Sequence, residues 1–268
     1  MVQKFIRSFD GTNVHYFFKK NKKMCIVFLH GLSGGYKAWQ FCYPFFFKKG
    51  HSILSLDLRG HGYSDKPLDR RKYSIESAAK DLDLIIRKEK IKKVILVGHC
   101  FGVYVAMLYY FMRKSKVEKI IFISPHISPK SELRLQIFGK AYMLLISSTK
   151  LFYSKKLFIQ QDWDSFRGIK DIDVVRILQL IKVASPETMN YYLKHYYAFD
   201  GKKLAKKIKL PLLIIHGKKD MIVLEKFPRE LHEIIADSKL VILKDTNHNP
   251  PLNAPGKINR LVLDFIKN

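Results

Sequence analysis

The 268 residues carry 49 Lys and Arg against 23 Asp and Glu, a formal net charge of +26, and 47% of them are apolar. That balance excludes a disordered or fibrous chain and leaves room for a substantial core. Three cysteines, Cys25, Cys42 and Cys100, are odd in number and unevenly spaced, which argues against both a disulfide framework and a zinc site. The cationic excess would attract nucleic acid, anionic lipid or acidic substrates, yet the lysines are spread over almost every element and no nucleic-acid motif accompanies them. A lysine-rich composition explains the charge as well as a partner does, so no specific nucleic acid is expected and only a weak attraction to an anionic membrane surface.

The first residues, Met1 to Arg7, lack the apolar core of a signal peptide, and charges interrupt every later apolar run before it could span a bilayer. A soluble, cytoplasmic protein is expected. Gln3 to Phe9 and Val14 to Phe18 read as a hairpin around Asp10-Gly11-Thr12-Asn13. A third strand, Lys22 to His30, runs into the glycine-rich loop His30-Gly31-Leu32-Ser33-Gly34-Gly35, whose free amides can face an anion. A helix with aromatic residues is expected over Lys37 to Lys49, kinked by Pro44. Cys25 and Cys42 read as core residues. The strand Ser52 to Leu58 closes in Asp57-Leu58-Arg59-Gly60-His61-Gly62-Tyr63-Ser64, and Tyr73 to Lys90 has helical apolar spacing.

The most informative stretch follows. Val94 to Val97 is a continuous apolar run with β-branched residues, as expected of a strand buried on both faces. Gly98 and Gly102 bracket Cys100 as G-x-C-x-G, and an apolar helix follows to Met112. This is the spacing of a nucleophile elbow with sulfur in place of oxygen. On so tight a turn the thiol stands clear of the sheet, and the first amides of the helix point at whatever the sulfur attacks. A small buried hydrophobe is the competing reading of Cys100.

Lys119 to Ser124 gives another strand, ending at Pro125-His126. Strands alternating with helices imply right-handed crossovers and a parallel sheet, with reactive groups at the carboxyl ends of the strands. The rhythm then breaks. Helical spacing appears in Glu132 to Ser147, Val174 to Ala184 and Pro186 to Tyr197 with no convincing strand between, which reads as a helical cover, residues 129–207, over the strand ends. The sheet resumes at Leu210 to Gly217. The loop Lys218-Lys219-Asp220-Met221, a helix Pro228 to Asp237, the strand Leu240 to Leu243, the loop carrying His248 and a helix Pro255 to Ile266 complete the chain.

A thiol nucleophile needs a base and a third group to fix that base. Asp220 follows one strand and His248 the next, giving the order nucleophile, acid, histidine. Together with His30-Gly31-Leu32, the Asp57 to Ser64 loop and the Gly98 to Gly102 turn, this order resembles the α/β-hydrolase superfamily, in the branch with a single helical cap. The resemblance covers nearly the whole chain. It implies an α/β-hydrolase fold: a mostly parallel eight-stranded sheet with helices on both faces, a core of residues 1–128 and 208–268, and a cap of residues 129–207.

Carried over residue by residue, the resemblance implies that Cys100 attacks an acyl carbonyl, His248 moves the proton and Asp220 holds the imidazole. The backbone N–H groups of Leu32 and Phe101 would bind the oxyanion. Asp245 is a weaker rival for the acid, and His126, at a strand end, is a candidate substrate contact. His99 reads as packing, and His30 and His61 as loop braces. The departure from the family is cysteine where most relatives have serine; aspartate there would have pointed to epoxide-hydrolase chemistry. The expected activity is hydrolysis of a carboxylic ester or thioester with a mostly apolar acyl part. The alternatives are an acyltransferase using the same acyl-cysteine or a ligand-binding member without turnover. The expected partner is a small-molecule substrate; no cofactor and no metal are expected.

Overall fold

The computed structural model describes residues 3–127 and 183–268, together with Ile137, Gly168 and Asp171. Eight strands form one sheet: β1 (Gln3–Arg7), β2 (Asn13–Lys19), β3 (Lys23–Leu29), β4 (His51–Leu56), β5 (Val94–His99), β6 (Val117–Ile123), β7 (Leu212–Gly217) and β8 (Ser238–Leu243). Their spatial order is β1-β2-β4-β3-β5-β6-β7-β8. β1 and β2 pair antiparallel, as do β2 and β4, and every other pair is parallel. The crossover after β4 puts β3 and β5 side by side at the centre, so the loops after both strands open at one rim of the sheet.

Strand alternation divides the core in two. Val94 and Leu96 of β5 face one apolar layer, with Val27, Leu29 and the helices α2 (Ile75–Lys88) and α3 (Gly102–Met112). Ile95 and Val97 face the other, with Ile26, Phe28, Trp39 and Phe46. Both faces of β5 are buried in apolar layers, which explains why it reads as an unbroken apolar run. Helix α2 buries Ile75, Ala78, Ala79, Leu82, Ile85 and Ile86, one stripe at helical spacing. Its start is fixed by Ser74, whose hydroxyl accepts from the Ser77 amide at 2.9 Å, a cap worth about 1 kcal/mol.

The long kinked helix expected over Lys37 to Lys49 is replaced by a 3₁₀ turn, Tyr36–Trp39, and a separate short helix α1, Tyr43–Lys48. Pro44 lies in the first turn of α1 and so starts that helix: a proline has no N–H to offer a preceding turn but fits a first turn without cost. Cys42 stands just before α1 and is fully buried, as is nearly all of Cys25. Burial pushes both thiols up, Cys42 to about 12, which leaves them unreactive.

The expected helices Glu132 to Ser147 and Val174 to Ala184 lie outside the described residues, apart from Ile137, Val183 and Ala184. The third is observed as α4 (Pro186–Ala198). Ser185 caps it, and its Tyr192 packs its ring 4.9 Å from that of Phe101. The short helix α5 (Gly201–Ala205) follows it, and its Gly201 amide donates to the Ile127 carbonyl at 2.9 Å. Beyond β7 come α6 (Lys226–Ile234), α7 (Pro250–Asn253) and α8 (Pro255–Lys267). No helix among the described residues is long and apolar enough to cross a membrane.

Candidate active site

Cys100 sits between β5 and α3 with φ of +50°, in the left-handed region that a residue with a Cβ occupies only when its surroundings hold it there. The Cys100 amide continues the β5–β6 pairing by donating to the Ile123 carbonyl at 3.0 Å. The flanking glycines are demanded by contact. A Cβ on Gly98 would fall 2.7 Å from the Gly102 carbonyl oxygen, and one on Gly102 would collide with the Leu29 carbonyl. The sulfur-bearing residue is half-buried, unlike the other two cysteines.

His248 and Asp220 arrive from neighbouring loops. The Lys218 amide donates to the Leu243 carbonyl and the Lys219 amide to Thr246, both at 2.9 Å, so the two loops are zipped together beyond β7 and β8. The His248 Nδ1–H donates to Asp220 Oδ2 at 2.8 Å, and the Cys100 side chain lies close enough to the imidazole to raise it. Asp220 Oδ1 accepts from the Ile222 and Val223 amides at 2.9 and 2.8 Å, which fixes the carboxylate before the histidine meets it. Burial works against the Asp220 charge, but the His248 imidazolium and these N–H donors outweigh it and hold the carboxyl below its usual range. Burial likewise opposes a charged His248, and Asp220 and Cys100 reverse that and raise it well above an ordinary histidine.

The amide of Leu32 lies in the loop after β3 and that of Phe101 at the foot of α3. Among the described residues neither is tied into a hydrogen bond. The loop of Leu32 is held by its histidines. His30 Nδ1–H donates to the Gly31 carbonyl at 2.7 Å while its Nε2 accepts from Leu58 N–H at 3.0 Å. His61 Nε2 accepts from the Ser33 amide at 3.1 Å while its Nδ1–H reaches the Arg59 carbonyl at 3.2 Å. Burial lowers both, so both stay neutral and can accept as well as donate. They brace the loop, as the sequence suggested.

His99 does more than pack. Its Nε2–H donates to the His248 carbonyl at 2.8 Å, tying the histidine loop to the elbow. Asp245 is far more exposed than Asp220 and pairs with Lys219 at 3.8 Å, so it does not compete for the imidazole. His126 is 1% exposed, and neither ring nitrogen has a hydrogen-bond partner among the described residues. Its ring lies 3.9 Å from Phe227 and 6.2 Å from Tyr196, and burial, with Lys226 and Lys202 nearby, lowers it to about 4. It is a neutral wall residue beside the candidate site. Tyr196 of α4 is also buried; its hydroxyl, raised by burial and then by the charge at Cys100, is hydrogen-bonded to Tyr104. Among the described residues no group of three His, Cys, Asp or Glu side chains could hold a metal.

Residues 25–144 match the family model described as the alpha/beta hydrolase fold. An esterase from Exiguobacterium antarcticum superposes with a TM-score of 0.80 over 100% of both chains at 22% identity. The chain has the α/β-hydrolase fold. The chain is also 24% identical over 245 residues to protein ABHD8 of Bos taurus, covering 90% of this chain and 55% of the relative. It is 24% identical over 290 residues to epoxide hydrolase 3 of Xenopus tropicalis, covering 98% of this chain and 77% of that one. The chain thus spans about half the length of the ABHD8 relative.

Two residues near the site carried no signal in the sequence. Asp171 accepts hydrogen bonds from the loops of both Asp220 and His248. Tyr196 was legible only as one aromatic residue of an apolar helix, because its spacing says which face it occupies and not what lies opposite.

Proposed function

We propose that the protein is a cofactor-independent hydrolase of carboxylic esters or thioesters with a mostly apolar acyl part, using Cys100 as nucleophile, His248 as base and Asp220 as its orienting acid. The observation that carries this reading is the chain of contacts from the Asp220 carboxylate, 2.8 Å from His248 Nδ1, to the half-buried thiol at the top of the elbow. In the proposed cycle the Cys100 sulfur attacks the acyl carbonyl and the C=O electrons move onto oxygen, where the Leu32 and Phe101 amides stabilise them by about 3 kcal/mol per donor. Collapse expels the alkoxide or thiolate, which leaves with the proton held by His248. Water then gives a proton to His248 and its oxygen to the acyl carbon; breakage of the C–S bond releases the acid and restores the thiol.

The apolar preference rests on the residues around the elbow: Phe101, Tyr104, Tyr192, Tyr196 and Phe227 supply mostly carbon surface. We take residues 129–207 as the cap that completes the pocket, with α4 and α5 in its described part. The likeness to an epoxide hydrolase does not carry epoxide chemistry here, because a thiol stands at the position where that chemistry would use a carboxylate. A thioester intermediate passes its acyl group to amines and thiols more readily than an oxygen ester does, and this favours acyl transfer as the second reading.

The test is a panel of p-nitrophenyl and thioester substrates run beside Cys100→Ala, with intact-protein mass spectrometry after brief exposure. The expected result is a transient acyl adduct on the wild-type protein, and turnover lowered by about 10³-fold or more in the variant. Equal rates for the two proteins would overturn the reading. Product that depends on an added amine or thiol acceptor would favour transfer, and ligand-dependent stabilisation with no adduct would favour a binding protein.

A further inference from the structure

Asp171 belongs to the segment between β6 and β7 and is remote in sequence from every residue of the candidate triad. It is 7% exposed. Its Oδ2 accepts from the Met221 amide at 2.9 Å, and both of its oxygens lie 3.1 Å from the His248 amide nitrogen. One carboxylate therefore bridges the residue after Asp220 and the backbone of His248 itself. A second tie lies three residues away: the Gly168 amide donates to Asn253 Oδ1 at 2.9 Å, and the Asn253 side-chain amide donates to Asn247 Oδ1, beside His248. The segment is thus fastened twice to the histidine loop, at points where that loop's own secondary structure offers no acceptor.

A buried carboxylate of this kind is costly to keep unless its lone pairs are used, and here the donors are main-chain N–H groups. The His248 imidazole is held at its Nδ1 by Asp220, but the direction of its Cα–Cβ bond is set by the backbone. His99 fixes that backbone through the His248 carbonyl, and Asp171 fixes it through the amide on the other side of the same residue.

We propose that Asp171 is a positioning residue for His248: it couples the segment between β6 and β7 to the reacting group by holding the histidine's peptide in the orientation that points the imidazole at Cys100. The inference rests on the Cys100–His248–Asp220 reading. It adds that Asp171, a residue of this segment, sets the geometry of the base. A displacement of the order of 1 Å in a reacting group costs up to about a hundredfold in rate, so one lost tie at the His248 amide has a kinetic signature.

The experiment compares Asp171→Ala, Asp171→Asn, His248→Ala and Cys100→Ala in the full chain. Two readouts are used: kcat and KM on the ester panel, and the rate and pH profile of Cys100 alkylation by iodoacetamide. Asparagine keeps one oxygen that can take the place of Oδ2 and accept from both amides, whereas alanine leaves both unpaired. The expected result for Asp171→Ala is a kcat lower by about tenfold or more with KM changed less than about twofold. Its alkylation profile moves toward that of His248→Ala, and Asp171→Asn recovers most of both. An Asp171→Ala protein that melts earlier but keeps the wild-type kcat and alkylation profile would overturn the proposal, as would an Asp171→Asn protein as impaired as the alanine variant. If Asp171→Ala does not fold, Asp171→Asn together with Asn253→Ala decides it: a fall in kcat in Asn253→Ala at unchanged KM supports the strap, and an unchanged kcat overturns it. Failure of the parent reading looks different, because it shows as alkylation indifferent to His248→Ala or as turnover that survives Cys100→Ala.

Discussion

Among the described residues two buried histidine–aspartate pairs have the same separation, and one of them faces a thiol. His15 Nδ1 lies 2.8 Å from Asp57 Oδ2, just as His248 Nδ1 lies 2.8 Å from Asp220 Oδ2. Both carboxylates are pre-set by main-chain donors: Asp57 takes the Tyr36 and Tyr63 amides at 2.7 and 3.0 Å, and Asp220 takes those of Ile222 and Val223. The contrast is in what the far nitrogen of each ring meets. His15 is fully buried against Phe5, Tyr36 and Tyr63, and its Nε2 has no partner among the described residues. His248 meets Cys100. A short His–Asp bond is therefore not itself a mark of reactivity; the third group and its access to a substrate are what make the difference.

That contrast can be broken most sharply at the histidines. On our reading His248→Ala lowers kcat by about 10³-fold or more with little change in folding, read from ester turnover and circular dichroism. His15→Ala does the reverse: it leaves kcat nearly unchanged and costs about 2–4 kcal/mol of stability through a cavity and a carboxylate that loses a partner, read from urea unfolding. Equal kinetic losses in the two variants would erase the distinction. Next in size are the carboxylates. Asp220→Asn is expected to lower kcat by about 10²-fold or more by releasing the imidazole into the wrong tautomer. Asp57→Asn is expected to cost about 1–3 kcal/mol of stability, because its new NH₂ would face the N–H donor of Tyr36 or Tyr63.

The smallest effects separate these pairs from His126, which has neither a carboxylate nor a thiol as a hydrogen-bond partner among the described residues. Its folded value near 4 lies below the ordinary histidine value of 6.5. The unfolded chain therefore binds more protons between those two values, and the stability His126 contributes is complete above about 6.5 and is lost as pH falls toward 4. His248 is shifted the other way, so its contribution is complete below 6.5 and is lost as pH rises through its folded value. His126→Phe should accordingly retain about 1–3 kcal/mol more of its stability on acidification than wild type does, and His248→Ala should flatten the alkaline side, both read from unfolding midpoints across pH. Parallel acid limbs for His126→Phe and wild type would remove that assignment.

The parts of this arrangement that were legible in the sequence are those where a residue type is forced by its own backbone. Val94 to Val97 had to be apolar on both faces, and Gly98 and Gly102 had to lack side chains, so the strand, turn and helix around Cys100 could be read directly. The loop of Leu32 and the chain order of Asp220 and His248 were legible for a similar reason, since both follow buried strands. Asp171 was not, because it recognises main-chain amides, and a main-chain amide leaves no trace in the identity of the residue that carries it. The His15–Asp57 pair was missed because its members lie on a hairpin strand and a central strand end that sequence spacing does not bring together. Pro44 misled the reading of its helix, since a proline in an aromatic run looks the same whether it kinks a helix or begins one.

The left-handed backbone at residue 100 has a consequence for variation at that position. Side chains branched at the β carbon crowd the adjacent peptide in that conformation, so threonine or valine would be refused there, whereas serine and cysteine differ by a single unbranched atom and fit alike. The fold thus permits sulfur and oxygen to be exchanged without moving anything else. Any change in rate or in acceptor preference between Cys100→Ser and wild type would then belong to the chemistry of that one atom.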